Sequence, residues 1–183
     1  AQYRRSRLPG QAAQYPSPEV ALRSFSYRTL GVGFTNLGAV IMSNGWAYDS
    51  DPARKFAAAV AALLTGAAYR TSAEMAQFLG PFSRYEANKI DMLRIIGLHQ
   101  YHVRKEVQSA INSGENRTKA VTPIATIIKK AEDVWDEVMA AGIIHGFRNA
   151  QVSVIAPTGT IGLLMDCDTT GIEPEYALLK IKK

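Results

Sequence analysis

The segment from residue 157 to residue 162 has the residue types of an anion-binding loop. It reads Pro-Thr-Gly-Thr-Ile-Gly and lies between a run of alternating β-branched residues (151–156) and a short predicted helix (163–167). Glycines let a ligand approach the backbone, threonine hydroxyls donate hydrogen bonds, and backbone N–H groups at the start of a helix favour phosphate. The loop is not a Walker loop, because no Gly-Lys-Ser/Thr follows it, and an ordinary strand-to-helix turn would explain the pattern about as well. The candidate phosphate-binding residues are Pro157, Thr158, Gly159, Thr160, Ile161 and Gly162.

Other residue types that could do chemistry do not form a recognisable site. In the stretch 31–38 the third glycine follows the second by five residues, which does not match a dinucleotide-binding fingerprint and predicts a turn with close helix contact. His99 and His102 are spaced i, i+3 on a predicted helix, but no Glu or Cys in register completes a metal site. Cys167 is the single cysteine and has no histidine within ten residues, so a packed cysteine is the better interpretation than a nucleophile. The sequence therefore predicts no metal site.

The formal net charge of +5 comes from the two ends of the chain. Of the 21 Lys and Arg residues, six lie in 1–7 and 180–183, where there is no acidic residue, so the remainder carries a net charge of −1. No element combines clustered basic residues with aromatic ones, which argues against a nucleic-acid partner. The longest apolar run, 56–69, is 14 residues, short of the roughly 20 that cross a bilayer, and no secretion signal is present. With a single cysteine, these features predict a cytoplasmic protein with no membrane or nucleic-acid partner.

Helical patterns dominate the elements that must position the loop. Start and stop signals predict helices over 18–25, 34–43, 53–79, 85–111 and from 122 to the glycine at 146. β-branched or partly alternating runs predict short strands over 27–32, 151–156 and 176–183. The fold class is therefore α/β and predominantly helical. Residues 1–11 lack an apolar period and are predicted to be loose, with 12–183 belonging to one partial domain.

The apolar residues also predict which helix faces are buried. Residues 53–69 are apolar nearly all round, which predicts a helix buried between neighbours. The next helix carries one predicted stripe, formed by Ile90, Leu93, Ile96 (or Ile95) and Leu98. After residue 122, apolar residues recur at the i, i+3, i+4, i+7 spacing of one helix face. They are Ile124, Ile127, Ile128, Ala131, Trp135 and Val138.

Several stretches, read together, resemble the adenosylcobalamin-dependent (class II) ribonucleotide reductases. The most specific match begins with Arg-Asn-Ala-Gln at 148–151, continues through the loop at 157–162 and ends with Asp-Cys-Asp-Thr-Thr-Gly-Ile-Glu-Pro at 166–174. Further matching stretches are 15–19, 27–38, 65–69, 71–75 and 80–82. Their order and approximate spacing match the family from about residue 12 to the end of the chain.

This resemblance implies that the chain is part of a ten-stranded α/β barrel. In the family, homolysis of the cofactor's cobalt–carbon bond generates a thiyl radical, which abstracts the 3′ hydrogen of the ribose before a cysteine pair supplies electrons. The family's Pro-Thr-Gly-Thr-Ile-Gly loop holds the substrate phosphates, which implies that role for residues 157–162. The stretch 30–38 resembles barrel scaffold. The implied cofactor is adenosylcobalamin, the implied partners are a ribonucleotide and the remaining barrel segments, and the full-length enzyme can form a homodimer.

The departures from the family pattern limit what the chain does alone. The family's radical cysteine lies in an Asn-x-Cys-x-Glu motif that this sequence lacks, and Cys167 matches a different cysteine, the one in the Asp-Cys stretch. The reducing cysteine pair and the N-terminal specificity site are also missing. We therefore expect a fragment of a ribonucleoside-diphosphate reductase that supplies the phosphate loop and barrel helices, has no catalytic residue of its own and is inactive in isolation. Whether the substrate is a di- or triphosphate stays open.

The alternative hypothesis is a non-catalytic helical module that binds nucleotide or phosphate, or a decayed remnant. Such a module would be soluble, would melt cooperatively and would bind a nucleoside diphosphate weakly. A barrel fragment would instead expose the apolar helix over 53–69 and the edge of the strand at 151–156, and would aggregate.

Overall fold

The computed structural model describes residues 15–112, 122–175 and 177. Over these ranges the chain forms six helices joined by short turns and extended segments. Within the same ranges, no helix combines the length and the apolarity needed to cross a membrane. The helices are α1 (Pro18–Tyr27), α2 (Leu37–Ser43), α3 (Asp51–Leu79), α4 (Tyr85–Asn112), α5 (Thr122–His145) and α6 (Gly159–Leu164).

The helix boundaries follow from capping residues. The Ser17 hydroxyl accepts a hydrogen bond from the Val20 amide at the start of α1, and the Ser50 hydroxyl accepts one from the Ala53 amide at the start of α3. In both helices a proline occupies the first turn, where its missing N–H costs nothing. α5 is followed by Gly146, whose φ of 70° is the left-handed conformation that commonly ends a helix.

The three long helices form one layer with α5 in the middle. α5 packs against both α3 and α4. It runs parallel to α3, because the Trp135 indole N–H donates to the Ala62 carbonyl and, further along both helices, Arg70 pairs with Glu137. It runs antiparallel to α4. This arrangement places the C-terminal ends of α3 and α5 on the same side of the molecule, next to the segments that follow them.

The main core lies around Trp135, which is 1% exposed. An aromatic cluster continues from it, with ring-centroid distances of 5.6 Å for Tyr69–Phe147 and 5.5 Å for Phe82–Tyr85. This cluster fixes the ends of α3 and α5 together, so the chain leaves the layer at Phe147 in a defined direction. Further residues of this core are Ala73, Ile96, Val103, Ala131, Val134, Val138 and Val152.

The predicted faces are confirmed for α5 and only partly for its neighbours. All of the predicted α5 stripe is buried except Ile127, which is half-buried. On α4, Ile96 is buried but Ile90 is 84% exposed, because six residues on a helix of 3.6 residues per turn place it about 120° away around the axis. On α3, every residue from Ala59 to Arg70 is buried or half-buried, which agrees with the prediction for its apolar part, whereas most residues from 71 to 79 are exposed.

The segments predicted as strands at 27–32 and 151–156 do not form continuous β-strands in the described residues. They lie side by side in parallel, with Leu30 N–H donating to the Gln151 carbonyl and Val32 N–H to the Val152 carbonyl, and with one bridge between Val32 and Ser153. The strand predicted at 176–183 lies outside the described residues apart from residue 177. The predominantly helical character is thus confirmed, and the β part is reduced to this single parallel contact among the residues described.

A buried hydrogen-bond network joins α3 to the segment after α5. The Ser72 hydroxyl donates to Asn149 Oδ1 at 2.9 Å and accepts from the Asn149 amide at 2.9 Å. The Asn149 Nδ2 group donates to the Arg28 carbonyl at 2.7 Å. Ser72 and Asn149 are both buried, so these bonds fix the entry to residues 150–154 from two sides.

Replacing Ser72 with alanine is expected to lower the free energy of unfolding by about 2–4 kcal/mol, because an amide and a carbonyl oxygen of Asn149 lose their buried partner. Urea unfolding of the protein measures this. Ser83→Ala, at an exposed position, is the control and should change stability by less than about 0.5 kcal/mol. An equally small effect of Ser72→Ala would contradict the role given to this network.

Candidate functional site

Three segments meet at the candidate site. They are the entry to α2 with Thr35 and Asn36, the loop at 157–162 and the turn over 169–173. Asn36 Oδ1 accepts a hydrogen bond from the Thr169 amide at 3.0 Å, and the Ala39 amide donates to Thr169 Oγ1 at 3.2 Å. These contacts hold the turn against the start of α2 and leave the loop between them.

Two threonine hydroxyls connect the three segments. The Thr158 hydroxyl donates to Thr35 Oγ1 at 2.8 Å, and the Gly171 amide donates to both oxygens, at 2.6 Å from Thr158 Oγ1 and 3.0 Å from Thr35 Oγ1. The Thr35 hydroxyl donates in turn to the Thr169 carbonyl at 3.4 Å. We call this set of bonds the threonine clasp.

The loop itself turns sharply into α6. Thr158 is the N-cap residue, with φ 57° and ψ 30° in the left-handed region, and its side chain makes no capping hydrogen bond to the helix. The first intrahelical bond runs from the Gly162 amide to the Thr158 carbonyl at 2.7 Å. The amides of Gly159, Thr160 and Ile161 therefore stand at the helix start without a side-chain cap from Thr158.

The space next to Gly159 is open. A Cβ atom built on Gly159 would meet nothing within 4 Å among the described residues. Thr160 and Ile161 are exposed on the same turn. A ligand group can therefore approach the amides of this turn directly, and the absence of a Cβ at 159 widens the approach.

The site offers hydrogen-bond donors rather than positive charge. From residue 157 to residue 175 the sequence contains no Lys or Arg, and it contains Asp166, Asp168, Glu173 and Glu175. The donors available at the loop are the amides of 159–161 and the Thr160 hydroxyl, whereas the Thr158 hydroxyl is engaged in the clasp. Any anion held here would be bound by oriented backbone dipoles.

The glycine-rich stretch at 31–38 has a scaffold role in this structure. A Cβ on Gly33 would lie 2.5 Å from the Val154 carbonyl oxygen, and a Cβ on Gly38 would lie 2.5 Å from the Glu173 carbonyl oxygen. These glycines allow two backbone segments to approach α2 and its entry. The prediction of close helix contact at this stretch is confirmed.

The histidine pair on α4 and Cys167, which the sequence does not place in a site, lie outside the loop at 157–162. The His99 ring stacks on Trp135 with a centroid distance of 5.0 Å, and the resulting loss of solvent, with a smaller contribution from His102, lowers the pKa of His99. Within 15–112 and 122–175, no group of three or more His, Cys, Asp or Glu residues is placed to hold a metal ion. Cys167 is half-buried, and its amide donates to the Gly162 carbonyl at 2.9 Å.

Sequence reasoning missed Thr35 and Asn36 as parts of the site. Both residues precede α2 and are more than 120 positions away from the loop. A usable signal was available in the polar pair Thr-Asn placed between the glycines at 33 and 38, in a stretch otherwise apolar.

Comparisons with known proteins agree on one family. The family model described as the ribonucleotide reductase barrel domain matches residues 11–183. A vitamin B12-dependent ribonucleotide reductase of Agrobacterium fabrum is 47% identical over 174 residues, and one of Bradyrhizobium diazoefficiens is 45% identical over 174 residues. In both cases the match covers 93% of this chain and 14% of the relative. A ribonucleoside-diphosphate reductase subunit alpha of Chlamydia trachomatis is 27% identical over 169 residues, covering 92% of this chain and 15% of the relative.

Proposed function

The chain belongs to the ribonucleotide reductase barrel-domain family, and we propose that it works as part of a cobalamin-dependent enzyme that reduces ribonucleotides to deoxyribonucleotides. The chain spans 14% of the length of the two vitamin B12-dependent relatives described above. We therefore propose that it acts within a longer polypeptide, called the full-length reductase below.

The loop at 157–162 is the part of the chain to which we assign substrate binding. One observation carries this assignment: Thr158 turns its hydroxyl away from α6, which leaves the amides of Gly159, Thr160 and Ile161 at an open helix start. Such amides bind phosphate oxygens through charge-assisted hydrogen bonds. Pro157 and Gly162 frame this turn on its two sides.

The remaining described segments fit the wall of a barrel. The parallel pairing of 27–32 with 150–154, each followed by a helix, is the arrangement of neighbouring strands in an α/β barrel. Large apolar side chains also face solvent in the described chain, among them Phe78 at 81% and Leu164 at 85% exposure. Further barrel segments of a ten-stranded barrel would cover these side chains, which favours the reductase over a free-standing phosphate-binding module.

The cavity enclosed by the three long helices is too small for a cobalamin. The cavity between α3, α4 and α5 measures about 40 Å³ and is lined mainly by alanines, Val103 and Ile128, whereas ordinary ligand pockets measure roughly 300 Å³ or more. We therefore assign adenosylcobalamin to other segments of the full-length reductase, as we do the radical cysteine.

The contribution of this chain to catalysis is then positional. Amides held in place before the substrate arrives bind its terminal phosphates without reorganising, and this fixes the ribose relative to the cysteine supplied by another segment. Because the donors are backbone groups on a rigid turn, misplacement of the turn would affect the reaction even though none of its atoms reacts.

Replacing Thr160 with valine tests this assignment through the side chain of the loop. The change removes one hydroxyl donor to a phosphate oxygen and is expected to raise the substrate KM of the full-length reductase about tenfold, with kcat changed less than about threefold. Steady-state kinetics with a ribonucleoside diphosphate and a triphosphate measure the effect and identify the substrate class.

The control for this experiment is Thr71→Val. Thr71 is exposed on α3, and its hydroxyl donates to the carbonyl of Ala67 in its own helix. Kinetics indistinguishable from wild type are expected for Thr71→Val. If Thr160→Val showed wild-type KM values for both substrates, the Thr160 hydroxyl would not contact the phosphates.

A further inference from the structure

The threonine clasp uses every hydrogen atom that its two hydroxyls can donate. Thr158 donates to Thr35, Thr35 donates to the Thr169 carbonyl, and the Gly171 amide donates to both hydroxyl oxygens. Thr158 and Thr35 are half-buried, so few water molecules compete for these bonds. The Thr158 hydroxyl is thus committed to the interior of the protein and is not a donor toward the open side of the loop.

The clasp opposes the ordinary behaviour of a threonine at a helix start. A threonine N-cap normally adopts an extended backbone and accepts a hydrogen bond from the amide two or three residues later. Thr158 instead has φ 57°, a conformation that costs a residue with a Cβ about 1 kcal/mol or more, and it caps no amide of α6. The surrounding hydrogen bonds must hold Thr158 there, and Thr35 Oγ1 accepts the one that the Thr158 hydroxyl donates.

From this geometry, and resting on the proposed function of the loop, we propose that Thr35 is a positioning residue for phosphate binding. It holds the Thr158 hydroxyl away from α6 and so keeps the amides of Gly159, Thr160 and Ile161 free for the substrate. Thr35 itself does not touch the ligand. The two loop threonines therefore have different roles: Thr158 shapes the loop, and Thr160 is the threonine that faces the phosphates.

The inference predicts a specific failure when the clasp is broken. Without the Thr35 hydroxyl, Thr158 is free to leave the left-handed region and cap its own helix, as N-cap threonines usually do. The Thr158 hydroxyl oxygen would then accept a hydrogen bond from an amide at the start of α6 and would compete with the substrate for it. The expected result is a loss of substrate affinity without a loss of the fold.

Substituting Thr35 with valine or with serine separates the effect of its hydroxyl from the effect of its methyl group. In the full-length reductase, Thr35→Val keeps the shape of the side chain but removes the hydroxyl, and is expected to raise KM about tenfold with little change in kcat. Thr35→Ser keeps the hydroxyl and should stay within about threefold of wild type. Thr158→Val should resemble Thr35→Val, and the double variant should be no worse than either single one, because the two side chains act as one unit.

A second readout tests the clasp without any ligand. Amide hydrogen exchange at Gly171 in the nucleotide-free protein should become about five- to tenfold faster in Thr35→Val and Thr158→Val, since its N–H loses an acceptor, and should stay near wild type in Thr35→Ser. This measurement tests the hydrogen bonds of the clasp even if the loop binds no phosphate. Failure of the proposed function would appear separately: in the wild-type protein, adding nucleotide would not change the exchange rates of the amides at 159–161.

Three results would overturn the inference. These are an unchanged KM in Thr35→Val, an equal loss in Thr35→Ser and Thr35→Val, or unchanged Gly171 exchange in both valine variants. The second result would mean that the methyl group of Thr35, rather than its hydroxyl, is what matters.

Discussion

Replacing Gly159 with valine is expected to raise the substrate KM of the full-length reductase by about 100-fold or more, or to abolish turnover, while the protein stays folded. The fold should tolerate the change because a Cβ at this position meets nothing within 4 Å among the described residues. The substrate should not tolerate it, because the branched side chain occupies the space through which phosphate reaches the amides of 159–161. Losing two charge-assisted hydrogen bonds, each about 1.5–3 kcal/mol, accounts for an effect of this size.

Gly159→Ala provides the graded control for this prediction. Its single methyl group fills less of the same space, so its KM should lie between those of the wild type and Gly159→Val. Thermal unfolding of both variants should stay within about 2 °C of wild type. Wild-type kinetics in Gly159→Val would mean that substrate does not approach the loop from this side.

Replacing Gly38 with valine is expected to damage both the fold and the site. A Cβ at this position would lie 2.5 Å from the Glu173 carbonyl oxygen and 2.9 Å from Thr169 Cγ2, and the helix backbone cannot yield to both. The turn over 169–173 would be pushed away from α2, and the bond from the Ala39 amide to Thr169 Oγ1 would be lost. We expect a loss of about 2–4 kcal/mol in the free energy of unfolding together with a raised KM.

Gly97→Ala is the matched control for the change at Gly38. Its Cβ would lie 3.3 Å from the flexible methyl end of Met139, far from the site, so a small effect on stability and none on KM is expected. The two variants should therefore differ in the free energy of unfolding, measured by chemical denaturation, and in KM, measured by steady-state kinetics. A stable Gly38→Val protein with wild-type KM would contradict the contact described between α2 and the turn.

The helices could be predicted from the sequence because their signals are local. Ser17 followed by proline marks the start of α1, the pair Asp51-Pro52 marks the start of α3, and Gly146 marks the end of α5. The face of α4 was harder to predict, because apolar residues such as Ile90 lie on more than one side of it. Periodicity cannot tell which of two apolar faces meets a neighbouring helix, since that depends on long-range contacts.

The candidate site could be predicted only in part. The loop at 157–162 is visible because its glycines and threonines are adjacent in sequence. Its conformation depends on Thr35 and Gly171, and the first of these is 123 positions away from Thr158. The sequence also favoured both loop threonines as ligand donors, whereas the structure engages the Thr158 hydroxyl in the clasp. A motif names the residue types of a site, but the direction of each donor is set by contacts between distant segments.

We propose that the amides of Gly159, Thr160 and Ile161 hold the substrate phosphates. Amide hydrogen exchange of the full-length reductase at single-residue resolution, with and without CDP or CTP, tests it most directly. We expect nucleotide to slow exchange at these amides by about tenfold or more in the wild type and to leave their exchange rates unchanged in Gly159→Val. Protection confined to other parts of the polypeptide, or equal protection at 159–161 in Gly159→Val, would contradict it.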